Sequence, residues 1–221
     1  MMTIRSEKCM WVARAALVAS VALARASSAQ ELDQKRFDLF PDPAVVRCLA
    51  AFPDDPSRPP SASVTVKRGR LNDRLDIQLR NIKPGLAFDM FTVEDSKFLA
   101  DGRVDPAFIA RGKTFGLAWY QSDLEVKNDH RNVTTIETIL VDQIFGFDAT
   151  VGLDPINTFH VGFWFNAPED AADCNFTGFT PFNGEHHAGP LAMISLPDAV
   201  TSLGPLCFNP DLSSDPVHCN P

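Results

Sequence analysis

The sequence NTFHVGFWFN, residues 157–166, decides the fold that we expect for this chain. With a period of two, its large apolar side chains fall on one face of an extended chain: Phe159, Val161, Phe163 and Phe165. The other face is mixed: Thr158, His160, Gly162 and Trp164. Apolar side chains in strict alternation are what a strand needs to cover the core of a sheet. The stretch therefore predicts a central strand, and it contains no motif for a reaction.

Further strands are predicted on both sides of this stretch, because short alternating or β-branched runs are separated by turn residues. They cover residues 63–66, 74–79, 86–93, 115–120, 133–141 and 191–196. Helical patterns are short, near residues 44–51 and 168–174. The sequence predicts an all-β fold, a single antiparallel β-sandwich of the immunoglobulin-like or jelly-roll-like kind. A closed β-barrel is the alternative, and the sequence does not separate the two.

The first 29 residues have the features of a signal peptide. Arg5 and Lys8 give a positive start, an apolar run follows at residues 15–24, and Ser27 and Ala29 are small residues before the expected cleavage point. The apolar run is too short to span a bilayer, which takes about 20 residues. We therefore expect cleavage near Ala29 and a secreted or periplasmic protein.

The rest of the chain divides into three expected parts. Residues 30–61 are rich in proline and aspartate and are expected to form an N-terminal arm. Residues 62–197 are expected to form the β-sandwich domain, in which residues 94–114 lack periodicity and make a long excursion. Residues 198–221 are expected to be a tail that carries two cysteines.

The chain is acidic, with a net charge of −8. Residues 1–29 hold four basic side chains and one acidic side chain, so cleavage makes the net charge three units more negative. An acidic chain repels phosphate backbones and anionic lipids. We therefore expect neither a nucleic acid nor a membrane surface as a partner. After residue 29 the sequence has no apolar run that suggests a transmembrane helix, so we also expect no membrane span. The kind of partner that we expect is an extracellular protein or a polysaccharide.

Four cysteines remain after Cys9 is removed with the signal peptide: Cys48, Cys174, Cys207 and Cys219. Four cysteines in an exported chain predict two disulfides, which allow three pairings. We expect Cys174–Cys207 and Cys48–Cys219, which would tie both ends of the chain to the domain. A local Cys207–Cys219 loop is the alternative.

One local cluster has the chemistry of metal ligands, in residues 182–190. Glu185, His186 and His187 stand together there, and His160 of the central strand would join them if this segment folds over its polar face. Three nitrogen and oxygen donors with an open position suit zinc or copper. The competing interpretation is that the pair of histidines caps a loop and that His160 is a hydrogen-bonded histidine of the sheet.

A weaker metal hypothesis concerns calcium. Oxygen ligands cluster in one turn region: Asp123, Glu125, Asn128 and Asp129. Calcium takes six to eight oxygen ligands and often collects them from such loops. Their spacing matches no defined calcium loop, and acidic ends of hairpins also serve solubility.

The sequence contains none of the motifs that mark a catalytic nucleophile, a zinc protease or a phosphate-binding loop. The function that we expect is that of a secreted, non-catalytic binding or surface-associated module. The alternative is an extracytoplasmic metalloenzyme or metal carrier that uses the cluster around His160. A third possibility is a metal-free hydrolase, which needs a pocket of carboxylates with raised pKa values.

Several segments of the sequence resemble segments of a group of secreted microbial proteins of unknown function. These are FGLAWYQSDL (115–124), VDQIFGFD (141–148), NTFHVGFWFN (157–166) and FNGEHHAGPL (182–191). The resemblance covers most of residues 62–207 and implies no activity. Residues 79–91 are also loosely similar to the opening hairpin of copper/zinc superoxide dismutase-like sandwiches. That family has a His-x-His on the following strand, which this chain lacks, so no residue is assigned from it.

Overall fold

The computed structural model describes residues 34–69, 72–127, 133–141, 145–148, 153–176 and 188–220. Its first six strands are β1 (Gln34–Pro41), β2 (Ser61–Lys67), β3 (Asn72–Arg80), β4 (Ala87–Val93), β5 (Ala118–Glu125) and β6 (Val133–Val141). The later strands are β7 (Phe145–Asp148), β8 (Leu153–Asn157), β9 (His160–Phe165), β10 (Leu191–Ser195), β11 (Pro210–Asp211) and β12 (His218–Cys219). Helical segments are short: α1 (Val46–Leu49), α2 (Pro106–Ala110) and a 3₁₀ helix (Pro168–Cys174).

Eight strands form one antiparallel sheet in the order β5-β4-β9-β10-β1-β2-β3-β6. The two end strands approach each other, with the hydroxyl oxygens of Thr138 and Ser122 3.5 Å apart, so the sheet is nearly closed into a barrel. The prediction of an antiparallel all-β fold is confirmed. A sandwich is not confirmed, because these eight strands belong to one continuous sheet and not to two facing sheets.

The N-terminal segment differs from the expected arm. Residues 34–41 form β1, which pairs with β2 on one side and with β10 on the other. Leu39 of β1 is buried in the core and Phe37 packs against it. The proline and aspartate content of residues 30–61 conceals this short alternating strand. The helical turn expected around Cys48 is confirmed as α1.

The inside of the curved sheet is filled by alternate residues of its strands. Buried side chains that meet there include Val64, Ile77, Phe88, Met90, Phe163 and Phe165. Leu49 of α1 and Ala171 of the 3₁₀ helix are buried in the same cluster. Period-two alternation places these side chains on one face of each strand, as the sequence predicts for β9.

Strand β9 is buried on both faces, which the mixed composition of its second face did not indicate. A second buried cluster lies outside the sheet and includes Trp164 of β9 and Ile194 of β10. Phe98, Phe108 and Phe115 cover this face, and all three belong to or border the excursion that lacked periodicity. A cover made of irregularly spaced aromatic rings needs no regular pattern, so periodicity does not detect it.

Trp164 lies back over its own strand, at a glycine. An ideal Cβ atom on Gly162 would stand 2.5 Å from Cζ3 and 2.7 Å from Cη2 of Trp164, far inside contact distance. The rings of Phe91 and Phe115 meet the indole edge to face, with centroids 5.4 and 5.1 Å away. The absence of a side chain at residue 162 therefore makes the outer cluster possible.

The two disulfides join Cys48 to Cys174 and Cys207 to Cys219. The expected pairing of Cys174 with Cys207 and Cys48 with Cys219 is wrong, and the alternative local Cys207–Cys219 loop is present. The reason is that α1 packs against the 3₁₀ helix, where the amide of Cys48 donates to Sγ of Cys174 at 3.1 Å. Two disulfides fit an extracellular or periplasmic compartment.

Among the residues that the structure describes, no helix has the length and apolar composition needed to span a membrane. The expected signal peptide, residues 1–29, lies outside the described residues.

We predict that Gly162→Ala lowers the free energy of unfolding by about 1–3 kcal/mol, because the new methyl group forces the indole of Trp164 out of its place. Urea denaturation measures this change. In a Trp164→Leu background the same substitution should cost less, since the atoms that it meets are gone. Equal costs in both backgrounds would contradict the explanation.

We also predict that the two disulfides contribute unequally. Cys48–Cys174 closes a loop with a sequence separation of 126, against 12 for Cys207–Cys219. Loop entropy then assigns about 5 kcal/mol to the first and about 3 kcal/mol to the second. Double substitution of each pair by alanine, followed by urea denaturation, tests the order. A larger loss from the Cys207–Cys219 pair would show that chain entropy does not decide it.

Candidate functional site

His160, the first residue of β9, lies on the outer face of the sheet opposite Val93 of β4. Only 3% of its surface is exposed. The chain folds over the ring at Gly204, where an ideal Cβ atom would stand 2.9 Å from Cδ2 of His160 and 2.3 Å from the carbonyl oxygen of Phe159. The amide of Leu206 donates to that carbonyl at 3.0 Å. A glycine at residue 204 therefore lets this loop close against the imidazole.

The hydrogen bonds of His160 identify its tautomer. Nδ1 lies 3.0 Å from the carbonyl oxygen of Ser195 and 3.1 Å from its Oγ. A carbonyl oxygen only accepts, so Nδ1 carries the hydrogen and donates it. Oγ of Ser195 also accepts from the amide of Val161 at 3.1 Å, which fixes the serine in place.

Burial lowers the pKa of His160 to about 4, although the hydrogen bond to Ser195 opposes this effect. The ring is therefore neutral near pH 7, and with the hydrogen on Nδ1 its Nε2 atom bears a lone pair. Among the described residues, no hydrogen bond reaches Nε2. Nε2 is not one of the fully enclosed polar atoms of the described chain that lack a partner, so it is accessible.

His160 forms part of the wall of a cavity of about 390 Å³. Apolar parts of the wall come from Phe98, Leu99 and Pro197, and five carboxylate side chains complete much of the rest: Glu94, Asp95, Asp101, Asp105 and Asp198. The cavity lies where the excursion after β4 meets the loop after β10. Sheet, excursion and C-terminal segment therefore all contribute to one site.

Two arginines hold three of these carboxylates in place. Arg111 lies 3.2 Å from Asp95 and 3.9 Å from Asp105, and Arg103 lies 2.6 Å from Asp101. Burial raises the pKa of Asp95 even so, and the charges of Glu94 and Asp105 act in the same direction against Arg111. Asp95 therefore loses part of its hydration in the cavity wall and lies close enough to Glu94 and Asp105 to be repelled by them.

The remaining two carboxylates are held by backbone amides. Asp198 accepts from the amides of Val200 and Thr201, both at 2.9 Å, and these bonds lower its pKa. Oε2 of Glu94 accepts from the amide of Leu117 at 3.2 Å. Within the described part of the chain, Glu94 forms no ion pair.

Of the four candidate ligands for zinc or copper, the structure describes only His160. His160 lines the cavity, whereas Glu185, His186 and His187 lie outside the described residues. Within the described ranges, no three His, Cys, Asp or Glu side chains group closely enough to hold a metal ion. A zinc or copper site at His160 therefore stays a prediction.

Only two of the four candidate calcium ligands belong to the described part of the chain, because Asn128 and Asp129 lie outside it. Asp123 and Glu125 are exposed side chains of β5. Partial burial raises the pKa of the Tyr120 phenol to about 12. A hydrogen bond with Asp123 and the charge of Asp123 act in the same direction. The described pair brings no third ligand to one centre.

Sequence reasoning identified His160 but not the carboxylates around it. Glu94 and Asp95 stand at the start of the excursion, and Asp198 stands just after the last long strand. Acidic residues next to strand ends are a usable signal. The sequence does not indicate which ends meet, because β4, β9 and β10 become neighbours only through the sheet order.

Comparison with protein-family models, with curated proteins and with solved structures found no match. The assignment of a function therefore rests on the cavity and on the residues that form it.

We predict that His160 makes stability depend on pH. Its pKa is about 4 when folded and 6.5 in a free side chain. Between these two pH values the imidazole is protonated in the unfolded chain and neutral in the folded protein. The free energy of unfolding therefore falls as the pH falls through this window. The total loss is about 3 kcal/mol.

Urea denaturation from pH 7 to pH 4 measures this loss against His160→Asn, in which Asn can still donate to Ser195 but does not titrate. The effect of Asp95 on pH dependence is common to both proteins and cancels in the difference. Parallel curves for wild type and His160→Asn would contradict the assignment.

Proposed function

We propose that this protein is a non-catalytic extracytoplasmic binding module that holds a small molecule in the cavity beside His160. The observation that carries the proposal is the cavity itself, with its volume of about 390 Å³. Ligand pockets typically have about 300–1,000 Å³. The wall of this cavity is polar and apolar in about equal parts. Phe98, Leu99 and Pro197 supply apolar surface here, and His160 and Glu94 supply polar atoms.

The state of His160 favours binding over catalysis. A general base works best when its pKa lies near the working pH, whereas burial lowers the pKa of this imidazole to about 4. Its Nδ1 hydrogen is committed to a backbone carbonyl and not to a carboxylate that would make the ring more basic. Asp95 has a raised pKa, as an acid catalyst would, but it pairs with Arg111.

An extracytoplasmic location is part of the proposal. The two disulfides support it, because such bonds persist in oxidising compartments. The signal-peptide features of residues 1–29 point the same way. The domain is a nearly closed single sheet with an outer cover, not the sandwich that the sequence predicts. The outer cover contributes to the wall of the cavity.

The second candidate function is the extracytoplasmic metal carrier or metalloenzyme. Its support is the unprotonated Nε2 atom of His160, since a neutral imidazole nitrogen is the form that binds zinc or copper. Glu185, His186 and His187 would have to supply the further ligands. A bound metal and a bound small molecule compete for the same nitrogen, so one set of titrations separates them.

We predict that filling the cavity abolishes binding. Ala100 lines the cavity, and Ala100→Phe places a ring in the space that a ligand needs. Ala110→Phe, on the exposed side of α2, is the matched control. A fragment library monitored by NMR should give ligands of the wild type and of Ala110→Phe that Ala100→Phe does not bind. A library without any such ligand would refute a binding function for this cavity.

A further inference from the structure

We propose that the ligand of this cavity is an organic cation, a primary ammonium group carried on a compact apolar body. The inference rests on the binding function proposed above and adds the chemical class of the ligand. Three properties of the cavity lead to it: the lone pair at its buried wall, its uncompensated negative charge and its apolar surface.

The first property is an acceptor without a donor. The carbonyl oxygen of Ser195 obliges His160 to carry its hydrogen on Nδ1, which leaves Nε2 with a lone pair. The side chain is buried, Nε2 has no hydrogen-bond partner among the described residues, and His160 belongs to the cavity wall. Nε2 is not among the fully enclosed polar atoms that lack a partner, so its lone pair is accessible from the cavity, where a ligand N–H can donate to it.

The second property is the sign of the charge. Five carboxylates line the cavity, and none of its described lining residues is a lysine or an arginine. Arg103 and Arg111 pair with three of the carboxylates, and Lys35 acts on Asp198 from a distance. The negative charges outnumber these cations, and Glu94 has no ionic partner in the described chain. A cation is attracted to this cavity and an anion is repelled.

The third property is the apolar surface. Phe98 is buried beside the ring of Phe40, and Leu99 and Pro197 continue the surface along the wall. A fully hydrated inorganic cation gains nothing from such contacts, whereas an aromatic or branched amine buries its carbon atoms there. The cavity therefore suits a cation with an apolar part.

An ammonium group also fits the arrangement of acceptors better than a metal ion does. A metal ion needs several ligands that converge on one point, and the described residues bring no three such groups together. An ammonium group has three N–H donors that point in different directions. It can donate to Nε2 of His160 and meet a carboxylate such as Glu94 without their convergence.

Three probes of nearly the same shape test the charge class: 2-phenylethylamine, 2-phenylethanol and phenylacetate. Isothermal titration calorimetry on the full protein should show the amine binding about tenfold or more tightly than the alcohol, with phenylacetate weakest. Glu94→Gln should weaken amine binding about tenfold or more and leave alcohol binding unchanged. Glu125→Gln removes the same charge from the exposed end of β5 and should change nothing.

His160→Asn tests the lone pair separately. Asn at this position can donate to the carbonyl of Ser195 but places no acceptor where Nε2 stands, so amine affinity should fall while the fold is kept. Circular dichroism and the urea midpoint at pH 7 report on the fold. Unchanged amine affinity in a folded His160→Asn variant would remove the imidazole from the ligand site.

The outcomes separate this inference from the binding function on which it rests. Binding of the alcohol or of phenylacetate as tight as that of the amine, lost in Ala100→Phe, would overturn the cation assignment and keep the binding function. No Ala100→Phe-sensitive ligand of any kind would overturn both. Stoichiometric zinc, copper or calcium binding, lost in His160→Asn and without amine binding, would assign the cavity to a metal ion instead.

Discussion

Burial of β9 on both faces is the constraint on which the rest of this structure depends. An antiparallel sheet commonly packs one face against the core and leaves the other in water. Here Phe163 and Phe165 fill the inside of the curved sheet, while Trp164 lies over Gly162 on the outside. The indole needs a cover, and the segment after β4 supplies it with three phenylalanines. The position of that segment, and with it the position of Glu94, follows from the need to bury one tryptophan.

The cavity is the place where this outer cover ends. Aromatic rings enclose Trp164. His160 lies on the same face of β9 but at its first residue, where loops replace the aromatic cover. A buried imidazole must satisfy its polar atoms. Ser195 satisfies Nδ1 from the neighbouring strand β10. No hydrogen bond within the described chain reaches Nε2, and His160 lines the cavity, where a ligand can meet this atom.

The sequence predicts the strands of this fold better than their assembly. Alternation in β9 and the strand composition of β6 are local properties, and both predictions hold. β1 was missed because prolines and aspartates surround a short alternating segment. Closure of the sheet, the pairing of Cys48 with Cys174 and the meeting of His160 with Glu94 all depend on the sheet order. No local pattern records that order, and the irregular spacing of Phe98, Phe108 and Phe115 conceals the outer cover.

Stability alone does not account for the composition of the cavity wall. Burial and the charges of Glu94 and Asp105 raise the pKa of Asp95, so these carboxylates oppose one another in the folded protein. Local arrangements that oppose stability occur mainly at functional sites, where a ligand supplies the missing interactions. Arg103 and Arg111 fit this explanation, because they form ion pairs with Asp101, Asp95 and Asp105 and leave Glu94 without one in the described chain.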